Sequence, residues 1–183
     1  MGTDLHTFIT GQLVVKLRED VTLLRVANRA DLAHAAYFHV RRYLLIQPGW
    51  ACRAETSTPE GTADLALFRQ ERFVALLRME CLLKPGLDDF FPADMLEREM
   101  EKLRRSRAAL EKSGPGGAYL LGVYDSADAW FYPSEGEEPG RYRAGSAAGA
   151  MREEQTCFWV PLNMRELPNH AEWRQKWARM AEL

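Results

Sequence analysis

Three carboxylates in the stretch from Glu55 to Lys84 fall at the ends of strand-like runs in mostly apolar surroundings. Glu55 closes the hexamer Trp50-Ala51-Cys52-Arg53-Ala54-Glu55, Asp64 lies near the head of the run Thr62 to Phe68, and Glu80 lies near the tail of the run Arg72 to Leu83. If the last two runs form an antiparallel hairpin about Gln70-Glu71, their open ends meet and Asp64 comes to Glu80. Glu55 can join them from the preceding strand. Clustered carboxylates are costly in apolar surroundings unless a cation neutralises them, and oxygen-only ligands select hard ions such as Mg²⁺. Such an ion lowers the pKa of a bound water and stabilises charge that builds up on a phosphate under attack. The opposing structural reading makes Asp64 a turn residue at a strand start and pairs Glu80 with Arg78 or Arg53 across the sheet.

The elements that must position these residues follow from periodicity and punctuation. Leu32, Ala36, His39, Tyr43 and Ile46 step by three and four residues, with Asn28 as N-cap and Pro48-Gly49 as stop, which predicts a helix. Three strand-like runs follow, separated by Thr56 to Gly61 and by Gln70-Glu71, and they predict a β-meander. A second helix is expected from about Pro92 to Lys112 with the stripe Leu96, Met100, Leu103 and Leu110. Ala118 to Tyr124 reads as a buried strand with Ala129 to Tyr132 as its partner, and Thr156 to Pro161 as a last strand. A terminal helix from Ala171 carries Trp173, Trp177 and Met180 on one face. Upstream, Phe8 to Leu17 and Asp20 to Val26 suggest two short strands or a strand and an extended entry. The chain is expected to be one α/β domain over residues 1–183, with a core at about 28–132, a loop at about 133–155, and a C-terminal strand and helix at about 156–183.

The order helix, meander, helix, strand, together with "Glu…Gly-Thr-Ala-Asp-Leu-Ala-Leu…Glu-x-x-x-Lys", resembles the PD-(D/E)XK nuclease-like superfamily. That group includes restriction endonucleases, Holliday-junction resolvases and DNA-repair exonucleases, and the resemblance covers roughly Ala30 to Tyr124. It implies a restriction-endonuclease-like core with a central mixed sheet, the meander plus further strands, flanked by helices. It also implies Mg²⁺-dependent phosphodiester hydrolysis on DNA. Asp64 and Glu80 match the metal-binding acids of the second and third strands, and Glu55 matches an extra acid that some members carry one strand earlier. The pattern's lysine belongs two residues after the third-strand acid, where this chain has Leu82; Lys84 stands as a displaced lysine, about 6–7 Å further along at the usual rise. Ala63 replaces the proline that precedes the first acid. The alternative implied by these departures is a catalytically inactive nuclease-fold protein that acts as a binding or assembly module.

Composition narrows the remaining classes. The 183 residues are 46% hydrophobic and 27% charged, with Lys+Arg 24 against Asp+Glu 26 for a net charge of -2. That balance argues against a surface basic throughout and confines any DNA contact to one cleft, with Arg53, Arg69, Arg78 and Lys84 as its local charges. In the second helix Arg98, Lys102, Arg104, Arg105 and Arg107 alternate with Glu97, Glu99 and Glu101, the pattern of a solvated helix with i,i+4 pairs. No apolar run reaches bilayer length, and no secretory signal opens the chain, so a cytoplasmic protein without membrane insertion is expected, free to form a homo-oligomer. Three separated cysteines and four histidines without zinc spacing predict reduced thiols rather than disulfides or a His/Cys metal site.

Overall fold

Leu13, Leu17 and Val21 recur every four residues and are all fully buried. That is the spacing of one helix face. In the computed structural model the N-terminal residues are accordingly helical: α1 (Leu5–Thr7), a π-helical stretch (Phe8–Leu13) and α2 (Val14–Thr22). The strands expected here are therefore corrected. β-branched Val14 and Val15 gave the run its strand-like character, yet Val15 is solvent-exposed while the four-residue stripe packs inward. The structure describes residues 4–58, 60–83, 93–110, 117–126 and 157–181. Lys84, the strand expected at 129–132 and the loop at 133–155 lie outside them.

The next helix, α3 (Arg29–Leu44), begins where its cap predicts, with the Asn28 side chain accepting a hydrogen bond from the Asp31 N–H at 3.1 Å. Its buried stripe is Leu32, Ala36, Val40 and Leu44. His39 leaves that stripe to meet Asp20 at 2.7 Å, and Ile46, beyond the helix end, is exposed.

The chain is α/β, with a five-stranded mixed sheet flanked by helices, as expected. The strands are β1 (Trp50–Thr58), β2 (Gly61–Arg69), β3 (Arg72–Cys81), β4 (Gly117–Tyr124) and β5 (Cys157–Asn163), in spatial order β1-β2-β3-β4-β5. The first three form an antiparallel meander, and β4 and β5 then add in parallel. Gln70 and Glu71 both take positive φ (49° and 64°) at the β2–β3 hairpin, the conformation whose twist suits a two-residue connection. A parallel β3–β4 pair requires a crossover, and α4 (Ala93–Leu110) supplies its helix.

Helices cover both faces of the sheet. Leu65, Leu67, Leu77, Met79, Leu121 and Val123 pack with α2, α3 and α5 (His170–Ala181), whose Trp173 and Trp177 are buried there. Ala66, Phe73, Leu76, Ala118 and Leu120 pack on the other face against Leu96, Met100 and Leu103 of α4. Two covered faces explain why β3 and β4 read as almost continuous apolar runs. No helix among the described residues is long and apolar enough to cross a membrane.

Candidate functional site

The hydrogen-bonded ladder between β2 and β3 runs from Arg69↔Arg72 to Leu65↔Leu77 and stops there, whereas β3 continues along β4 as far as Cys81↔Val123. The two strands part just where Asp64 and Arg78 would come next, one residue before Met79. Side chains satisfy the backbone groups released by that parting, as a half-buried backbone requires. Asp64 Oδ2 accepts from the Met79 N–H at 2.7 Å, and Arg29 Nε donates to the Met79 carbonyl at 2.7 Å. The same guanidinium reaches Asp64 Oδ2 through Nη2 at 3.0 Å and places Nε 3.6 Å from Glu80 Oε1. Arg29 is the first residue of α3, so the Asn28 cap sets its position over the open end of the hairpin.

Asp64 and Glu80 thus converge at one end of the meander, and an internal cation bridges them. Behind them, on α4, Glu99 accepts from Lys102 Nζ at 2.6 Å and lies 3.3 Å from Arg78 Nη2. Three acids, Asp64, Glu80 and Glu99, face Arg29, Arg78 and Lys102. Burial raises the Glu80 carboxyl above its ordinary value; Arg29 opposes this, Glu99 and Asp64 add to it, and Arg78 offsets it further.

The other expected site residues are placed differently. Glu55 is exposed, with φ 49°, between the pairs Ala54↔Leu65 and Thr56↔Ala63, so the register sets it opposite Asp64 without the two forming a ladder pair. Its carboxylate makes no ion pair among the described residues. Leu82, at the position the resemblance assigns to lysine, is 7% exposed, and its N–H donates to the Val123 carbonyl at 2.8 Å. The expected pairing of Glu80 with Arg78 or Arg53 is corrected: Arg29 is its ion-pair partner, Arg78 turns to Glu99, and the Arg53 guanidinium lies 4.7 Å over the Phe68 ring. Arg78 is buried and so is withdrawn from any cleft that would meet phosphates. Among the described residues no group of three or more His, Cys, Asp or Glu is arranged to hold a metal ion. As arranged, the donors do not fit Mg²⁺, because an ion bound to both acids would have to displace the Arg29 guanidinium from Asp64. Of the charges along α4, Glu101–Arg105 is a pair of the expected i,i+4 spacing, Glu99–Lys102 and Glu101–Arg104 are spaced i,i+3, and Glu99 is turned away from solvent beside Arg78.

Two groups escaped the sequence reading. Arg29 carried a signal, since a cation in the first turn of a helix opposes the helix dipole and needs a compensating acid. Glu99 looked like one of several surface acids, and only the packing of α4 against the sheet sets it beside Arg78. A separate cluster sits at the carboxyl end of β4, where the Asp125 side chain is 2% exposed and accepts from His170, 2.8 Å away, and from Arg174. This cluster ties α5 to the carboxyl end of the interior strand β4.

Comparison with known proteins adds little to this geometry. No family model and no curated protein matches the chain. Among solved structures, a chain of the "Refined half-complex from tetradecameric assembly of Thermococcus gammatolerans McrB AAA+ hexamers with bound McrC" is similar at 11% identity with a TM-score of 0.30. The match covers 79% of this chain and 32% of that one, and so weak a likeness carries no argument.

Proposed function

We propose that the chain is a nuclease-like fold whose acid pair works as an internal ion-pair lock, and that the protein acts as a binding or assembly module. The observation that carries this reading is Arg29, whose one guanidinium contacts Asp64, Glu80 and the Met79 carbonyl together. A side-chain cation offsets part of the charge of the two carboxylates where a divalent ion would otherwise be needed. Support comes also from Leu82, an apolar and buried residue where a hydrolytic site of this class would carry an amine. The element order α3, β1-β2-β3, α4, β4 accords with the restriction-endonuclease-like core implied by the sequence motif.

One observation favours the second reading, a Mg²⁺-dependent phosphodiesterase acting on DNA with Asp64 and Glu80 as ligands, Glu55 auxiliary and Lys84 as displaced lysine. The Arg29 side chain is 44% exposed, so it has solvent into which to swing when a cation competes for the acids. Calorimetric titration of the protein with MgCl₂ and MnCl₂, beside incubation with supercoiled plasmid, separates the two. The lock predicts no saturable heat and no cleavage. Saturable metal binding with plasmid nicking, both lost in Asp64→Ala while circular dichroism is unchanged, would establish the nuclease instead.

A further inference from the structure

Among the described residues β1 is an edge strand, with nothing paired to its outer side. Exposed edges ordinarily invite pairing with another chain, and charges on them usually block it. Here the charges are arranged differently. β1 spans nine residues whose midpoint is Ala54, flanked by Arg53 and Glu55. Both charged residues are exposed. Arg53 stacks on Phe68, and neither residue forms an ion pair with another described residue.

We infer that the β1 edge is a self-complementary interface on which a second copy of this chain pairs antiparallel about a two-fold axis at Ala54, joining two five-stranded sheets into one. The register follows from symmetry and charge. A two-fold axis between identical antiparallel strands must set one residue opposite itself. Centring on residue 53 opposes two arginines, and centring on residue 55 opposes two glutamates; both are destabilising. Centring on Ala54 sets Arg53 opposite the partner's Glu55 and Glu55 opposite the partner's Arg53. The same choice uses the full strand, bringing Cys52 opposite Thr56 and Trp50 opposite Thr58, while the small Ala54 side chains meet at the axis without crowding.

The β1–β2 pairing skips Glu55, whose φ is 49°, and resumes beyond it in the same register, so no residue is inserted into the edge strand there. Apolar surface at the Trp50 end gives the partner more to cover: Leu45 and Ile46 are exposed beside a groove lined by Tyr37, Arg41 and Trp50. The interface stands whether or not Asp64 and Glu80 ever take a metal.

Analytical ultracentrifugation of the full chain across a concentration series tests it. The expected result is a reversible dimer, with Arg53→Glu and Glu55→Arg each weakening association about tenfold or more, since each variant creates like-charge pairs on both sides of the axis. The double variant R53E/E55R restores it, which a general loss of folding could not do. A wild-type chain that stays monomeric overturns the inference. So does a dimer indifferent to R53E, or a double variant that remains dissociated.

Discussion

Arg29→Ala probes the lock directly. The substitution removes the hydrogen bonds from Nη2 to Asp64 and from Nε to the Met79 carbonyl, together with the attraction to Glu80. It leaves two carboxylates, 13% and 18% exposed, without their cation. Hydrogen bonds to charged groups contribute about 1.5–3 kcal/mol each, but Arg29 is partly solvated, so the combined loss is placed at about 2–3 kcal/mol. For a chain of this length that corresponds to a drop in Tm of roughly 5–10 °C.

The loss also carries a pH signature. Glu80 titrates above its ordinary carboxylate value in the folded chain, so the native state holds that proton more tightly than the unfolded state. Its contribution to stability is therefore full in acid and is lost as the pH rises through the raised value. Removing Arg29 raises Glu80 further, because the guanidinium is what opposes the effect of burial. The destabilisation should be largest at neutral pH and should shrink as Glu80 protonates. Urea unfolding followed by tryptophan fluorescence, at neutral pH and near the ordinary carboxylate value of 4.5, measures both quantities. A loss below about 0.5 kcal/mol, within the range of ordinary surface substitutions, would refute the lock. A loss of the same size at both pH values would refute the role given to Glu80.

Two further substitutions test the packing that holds the site. A Cβ at Gly122 would lie 2.2 Å from Cη2 and 2.6 Å from Cζ3 of Trp159, so Gly122→Ala should cost about 1–3 kcal/mol and alter the near-ultraviolet dichroism of the tryptophans. Unchanged dichroism and urea midpoint would show that the ring is not seated over this strand. Asp125→Ala removes the buried acid shared by His170 and Arg174 and should destabilise by about 3 kcal/mol, whereas the same substitution at exposed Glu172 should be nearly silent. Equal midpoints for the two variants would argue against the cluster as the tie between α5 and the sheet.

Much of the architecture was legible along the chain because it rests on local rules. Asn28 capped the helix it was expected to cap, Gln70-Glu71 made the hairpin, and Leu96, Met100 and Leu103 formed one buried face of α4. The N-terminal helices were misread because Val14 and Val15 favour strands locally, and burial at four-residue intervals against the sheet overrode that preference. The two acids at the strand ends were also readable, since an antiparallel hairpin of known length brings its open ends together by geometry alone.

Tertiary structure alone decided what neutralises them. Arg29 meets Asp64 across 35 positions of sequence and the Met79 carbonyl across 50, a contact that no spacing rule supplies. Glu99 likewise reaches Arg78 only because α4 crosses back over the sheet between β3 and β4. The sequence by itself determined that carboxylates would gather at this end of the meander. Which cation they meet depends on how α3 and α4 are laid against the sheet, because electrostatic partners are chosen by distance in space, and the helices set that distance only once the apolar faces have packed.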